Sequence, residues 1–287
     1  MLAVLCPGQG SQRPGQLAPW LEAPGAADLL AAWSEVARLD LVRAGTTASA
    51  DEIRATEVTQ PLLAATALLA ARGIQADVLT GHSVGGWAAA AIAGVISDED
   101  CVRLVAARGR AVAECCDGTT GMSAVLGGAP DVVLAAIESA GLTAANVNGG
   151  GQVVAAGDLD RLAALEIPGA RVRSVPVAGA FHTTAMGPAV EALAGAATGV
   201  AAADPTTTLV SDADGTVVTD GPAHLRALVD GTARPVRFDL VWQRLADLGV
   251  DTIVELAPAG VLAGLAKRVL PGVRIVKAES PADLAAI

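Results

Sequence analysis

The five residues Gly81-His82-Ser83-Val84-Gly85 are the part of this chain best suited to covalent chemistry. They follow a short apolar run, Asp77–Thr80, and precede an Ala-rich segment of helical composition, Trp87–Ala93. A serine in a G-x-S-x-G pattern between a strand and a helix stands on a sharp turn, with its hydroxyl projecting at the carboxyl edge of the sheet. Gly81 and Gly85 are then bare where that turn folds against its neighbours. The N–H of Val84 opens the helix and points at an oxyanion forming on a bound carbonyl. The competing reading is a glycine-rich structural turn, which the strand–turn–helix context disfavours.

An alcohol is a weak nucleophile near neutral pH and needs a partner to take its proton, most often histidine. The chain has 3 histidines. His82 adjoins Ser83, so its side chain should diverge on the elbow. His224 lies in Pro222–Val229, among charged residues on what reads as a surface helix. His182, in Gly179-Ala180-Phe181-His182, stands at a strand–helix junction, where the sites of parallel sheets form. His182 is therefore the candidate base, with a structural histidine as the alternative. Pro7-Gly8-Gln9-Gly10-Ser11-Gln12 follows the first strand, and the Gln9 N–H between two glycines is the candidate second oxyanion donor. Its spacing fits neither a G-x-G-x-x-G loop nor a P-loop, which argues against a phosphate cradle.

One arginine is out of place. Glu99–Cys116 reads as a helix, and at ~100° per residue Glu99, Arg103, Arg110 and Glu114 share a charged stripe. Arg108 falls on the other side, among Cys101, Leu104, Val105 and Val112. A guanidinium loses much hydration there and needs an anion. That anion is either an internal carboxylate or the carboxylate or phosphate of a substrate.

These groups need a frame to hold them. Leu2–Cys6 reads as a first strand, and Gln60–Ala71 as a helix before the strand at Asp77–Thr80. Glu99–Cys116, Pro188–Ala197, Val236–Leu248 and Gly260–Val269 read as helices, with strands at Thr207–Ser211 and Thr252–Glu255. This alternation predicts an α/β fold with a parallel sheet. Residues 119–178 differ: strands Met122–Leu126, Val153–Ala156 and Arg171–Val177 flank helices Asp131–Ala140 and Asp158–Leu165, a small α+β unit inserted in the larger one.

Composition limits the rest. The 287 residues are 52% hydrophobic but only 2% aromatic, so the core must be built from Ala, Val, Leu and Ile. A net charge of -11 argues against general affinity for nucleic acid or an anionic membrane. The 4 cysteines show no C-x-x-C spacing, and so few histidines argue against a metal cluster. With no basic leader at Met1–Pro7 and no run of ~18 apolar residues, the chain reads as soluble and cytoplasmic, its thiols reduced.

Pro7–Gln12, Thr59-Gln60-Pro61, Gly81–Gly85, Arg108-Gly109, Asn146–Gly157, Gly179–Met186 and Glu255–Leu265 together resemble the malonyl-CoA:acyl carrier protein transacylases of fatty acid synthesis and the acyltransferase domains of polyketide synthases. The resemblance implies an α/β-hydrolase-like large domain, residues 1–118 and 179–287, with a ferredoxin-like small domain at 119–178. It makes Ser83 the acylated nucleophile, His182 the base, and the Gln9 and Val84 N–H groups the oxyanion donors. Arg108 becomes the partner of the malonyl carboxylate, with Gln60 and Asn148 lining that site. In the polyketide relatives an Ala-Phe-His motif goes with malonyl and an Ala-Ser-His type with methylmalonyl. Ala180-Phe181-His182 matches the first, Phe181 filling the space of a 2-methyl group. The resemblance further implies no cofactor beyond the substrates, malonyl-CoA and the phosphopantetheine of an acyl carrier protein, and a monomer. It places a backbone carbonyl behind the histidine, expected near Pro235–Arg237.

Two features depart from the pattern: Gly86-Trp87 stand where Glu usually follows the elbow, and Arg234-Pro235-Val236 where Asn-Pro-Val is common. Carrier proteins are usually acidic, so docking on this acidic chain needs a local basic surface; Lys267, Arg268, Arg171 and Arg173 are candidates, or merely solvated charges. Two other functions fit the same residues. A thioester hydrolase or editing enzyme would use the same Ser–His pair, although a buried arginine does not suit an apolar acyl pocket. A non-catalytic scaffold would have no need of Ser83 and His182.

Overall fold

Strand β1 (Leu2–Cys6) is buried along almost its whole length, as expected of a strand covered on both faces. In the computed structural model, which describes every residue except Ala286, it is the middle strand of a five-stranded sheet. The other members are β2 (Val78–Gly81), β7 (Thr208–Leu209), β8 (Thr252–Leu256) and β9 (Arg274–Ala278), in the order β7-β2-β1-β8-β9. Every pairing is parallel. Successive β1 residues feed opposite cores. Val4 and Cys6 join the cluster of α1 (Ala26–Ala37), α2 (Leu41–Thr46), α3 (Thr56–Ala70), α4 (Val84–Ile92) and α5 (Asp98–Glu114). Ala3 and Leu5 meet α10 (Phe238–Asp247) and α11 (Val261–Val269). With few aromatics, close helix-on-sheet contact depends on small side chains, and Ala88, Ala89 and Ala90 of α4 are fully buried.

The second sheet is antiparallel, in the order β4-β5-β3-β6. Its strands are β3 (Thr120–Gly127), β4 (Thr143–Gly149), β5 (Gln152–Asp158) and β6 (Ala170–Val175), with α6 (Pro130–Ser139) after β3 and α7 (Leu159–Ala163) after β5. This is the βαββαβ order of a ferredoxin-like unit. It contains one strand more than the sequence pattern suggested. β4 reads Thr-Ala-Ala-Asn-Val-Asn-Gly, poor in β-branched residues, and its pairing with β5 is twice out of register. Phe181, Met186, Met122 and Ala111 form a cluster linking the two units. The chain closes with α8 (Gly187–Ala197), α9 (Gly221–Asp230) and α12 (Pro281–Leu284). No helix among the described residues is long and apolar enough to cross a membrane.

Candidate active site

The elbow between β2 and α4 holds Ser83 at φ 54, a left-handed conformation that costs an L-residue energy. The turn can close this tightly because Gly81 and Gly85, two positions to either side, carry no side chains. A β-carbon on Gly81 would collide with the Gly85 carbonyl, and one on Gly85 with the carbonyl of Cys6 at the end of β1. Gly8 closes the same turn from the first loop, since a β-carbon there would lie 2.7 Å from His82 O. The Pro7–Gln12 loop is thereby pressed onto the elbow. Neither the Gln9 N–H nor the Val84 N–H donates to a hydrogen-bond partner among the described residues.

Ser83 Oγ lies 2.7 Å from His182 Nε2. On its other side His182 Nδ1 lies 2.9 Å from Gly231 O and 3.0 Å from Arg234 O. Two carbonyls can only accept, so Nδ1 carries the proton and Nε2 is left with its lone pair toward the serine. These carbonyls border the short 3₁₀ turn Gly231–Ala233, ahead of the expected span Pro235–Arg237, because that turn carries the chain beneath the imidazole. His182 is 5% exposed, and burial, with Arg108 beside it, pushes its pKa down to about 3. The imidazole is neutral near pH 7.

Arg108 is 4% exposed on α5. The guanidinium donates to Gln60 Oε1 at 2.7 Å, Thr232 Oγ1 at 3.3 Å and Ser83 Oγ at 3.4 Å, and among the described residues no ion pair holds it. Burial lowers its pKa to about 10, so it stays charged at neutral pH. Gln60, on the nearly fully buried α3, also donates to Gln9 Oε1 at 3.3 Å, and Gln9 Nε2 donates to Thr56 Oγ1 at 3.2 Å. One chain of amides and hydroxyls therefore ties the arginine to the Pro7–Gln12 loop. On the outer stripe of the helix, Arg103 bonds Asp100 and the Ala196 carbonyl, and Arg110 bonds the Ala37 carbonyl.

A cavity of about 220 Å³ opens in front of Ser83 and His182, lined by Gln9, His82, Asn148 and Phe181 together with Val261, Leu262 and Leu265 of α11. His82 turns away from the nucleophile, its Nε2 2.8 Å from Asn148 Oδ1. Trp242 fixes Asn148 through a 2.9 Å bond to its carbonyl. Arg171 and Arg268 border a separate surface groove. His224 corrects the reading of a surface helix: it lies on the buried face of α9 and, with Trp87, Arg108 and Asp212, lines a small second cavity behind the elbow. Thr56, Thr232 and Asp212 were missed altogether. Each is an ordinary polar residue brought in from a distant segment, with no motif around it.

An oxygen nucleophile beside a neutral imidazole, on an elbow at the carboxyl edge of a parallel sheet, is the arrangement of a serine acyl-transfer enzyme. Residues 4–280 match the family model described as the acyl transferase domain. The malonyl CoA-acyl carrier protein transacylase of Mycobacterium tuberculosis is 51% identical over 296 residues, covering 99% of this chain and 98% of that protein. A crystal structure of the Mycobacterium tuberculosis enzyme superposes with a TM-score of 0.95 at 50% identity, covering 99% of this chain and 98% of that one. A malonyl-transacylase solved in complex with its type II polyketide synthase acyl-carrier protein aligns with a TM-score of 0.92 at 28% identity, over 99% and 98% of the two chains. The chain belongs to the malonyl CoA-acyl carrier protein transacylase family.

Proposed function

We propose that this enzyme moves a malonyl group from malonyl-CoA to the phosphopantetheine thiol of an acyl carrier protein, through a malonyl ester on Ser83. The observation that carries this reading is a buried, charged Arg108 that no carboxylate touches among the described residues, 3.4 Å from the oxygen that His182 activates. The terminal carboxylate of malonyl supplies an anion in direct contact, and Gln60 holds the guanidinium at the angle to receive it. Phe181 and Asn148 line the space beside the acyl group. Residues 119–178 act as a small domain inserted between 1–118 and 179–287, and the cavity runs along their junction.

His182 Nε2 takes the Ser83 proton as Oγ bonds to the thioester carbonyl carbon. The Gln9 and Val84 N–H groups receive the oxyanion. Collapse breaks the C–S bond, and the imidazolium returns its proton to the coenzyme A sulfur. The carrier thiol then enters the place coenzyme A has left, gives its proton to His182 and attacks the ester carbonyl. Ser83 Oγ departs and regains the proton. Incubation with malonyl-CoA followed by intact-mass measurement tests this sequence. One malonyl mass should appear on the protein, be absent in Ser83→Ala, and pass to added carrier protein. Release of free malonate without carrier would mark a hydrolase, and no adduct at all would mark a scaffold.

A further inference from the structure

The amide of Ser83 is held by a carboxylate. Its N–H donates to Asp212 Oδ2 at 2.7 Å. Asp212 lies beyond β7 in a loop pinned by the Arg237 N–H, which donates to the Asp212 carbonyl at 2.8 Å. From there the side chain enters the small cavity behind the elbow, alongside Arg108 and His182. Gly86 stands beside it: a β-carbon there would lie 3.6 Å from Asp212 Oδ1 and 3.4 Å from Leu228 Cδ2, at ordinary contact distance. Arg108 and Asp212 attract one another although no ion pair joins them. The carboxylate thus touches the nucleophile's backbone on one side and acts on the arginine's charge on the other.

We propose that Asp212 is a positioning residue for Ser83 and a specificity residue for the acyl group, holding the strained elbow through the Ser83 N–H and serving as the resting counter-charge of Arg108 until the substrate's carboxylate takes that role. This rests on the malonyl-transfer reading above. The two roles separate by chemistry. Holding the amide needs only an acceptor oxygen, which an asparagine retains. Opposing an incoming carboxylate needs the negative charge, which an asparagine lacks. Acetyl carries no charge and should not respond to it.

The test is steady-state transfer to carrier protein from malonyl-CoA and from acetyl-CoA, with wild type, Asp212→Asn and Asp212→Ala. In Asp212→Asn the KM for malonyl-CoA should fall by about threefold or more while that for acetyl-CoA stays within about twofold, since one nearby charge acts on only one of the two substrates. In Asp212→Ala a buried N–H at a strained residue loses its acceptor, so kcat should fall about tenfold or more for both substrates, with Asp212→Asn restoring most of it. Equal KM changes for the two substrates in Asp212→Asn would overturn the specificity role. Equal kcat in the two variants would overturn the positioning role. Asp212→Asn is isosteric, so it keeps the specificity test available where the alanine variant fails to fold. A wild-type enzyme that takes no malonyl group would sink the functional reading itself, a result distinct from either of these.

Discussion

In the proposed transfer, the pairing of Ser83 with His182 asks two things of one imidazole: Nε2 must be unprotonated before the reaction, yet able to take a proton during it. The Gly231 and Arg234 carbonyls meet the second demand by fixing the Nδ1–H tautomer and stabilising the imidazolium as it forms. Burial and Arg108 meet the first, with the pKa pushed down to about 3. The base is competent above that value and is lost only as pH falls through it. At saturating malonyl-CoA the rate of Ser83 malonylation should therefore change by less than about twofold between pH 7.5 and 5.5, because protonation of Asp212, whose pKa burial raises to about 6, acts on KM; an unshifted histidine would lose about tenfold over that range. A stopped-flow or quenched-flow pH profile of the acylation step checks this, and an acid limb near pH 6.5 would contradict it. Ser83 and His182 were legible in the sequence because a motif marks one and the scarcity of histidine marks the other. Asp212 was not: it stands 129 positions from Ser83, and only the fold joins them.

At the scale of elements, helix α11 has a job that its sequence does not advertise. It supplies Val261, Leu262 and Leu265 to the cavity in front of Ser83, and its position depends on Glu255 near the end of β8. The Glu255 carboxylate, 0% exposed, accepts the N–H groups of Gly260, Leu262 and Ala263 at 2.7, 2.9 and 2.8 Å. These are the orphan donors of a helix N-terminus, where a negative charge is also favoured by the helix dipole. Glu255→Ala should lower unfolding stability by about 2–5 kcal/mol and raise the KM for malonyl-CoA, because the buried donors lose their acceptor and the cavity wall loosens. Urea unfolding checks the first part, and a loss below about 1 kcal/mol would contradict it. Helix α5, through its charged stripe, and α3, through its composition, were legible from sequence to within a few residues. β4 was hidden by its two asparagines and irregular register. The inward face of α9 was hidden because neighbouring charges made His224 read as exposed.

Across the whole molecule the site draws on parts that no short window of sequence unites. The first loop brings Gln9, the buried helix α3 brings Gln60, α5 brings Arg108, and the turn before α10 brings Thr232 and the carbonyls behind His182. The cavity itself lies between the parallel sheet's carboxyl edge and the antiparallel unit. Arg108 is the point where these contributions meet, and in the proposed function its direct pairing with the substrate's carboxylate, replacing the more distant attraction of Asp212, is what distinguishes malonyl from other acyl groups. The most direct test is competition between malonyl-CoA and acetyl-CoA for Ser83, read by intact mass in wild type and Arg108→Ala. Removing one partner of a buried charge pair typically costs about 2–5 kcal/mol, so the malonyl-over-acetyl preference should fall by at least about thirtyfold. An unchanged preference in Arg108→Ala, with Ser83 still acylated, would contradict the account.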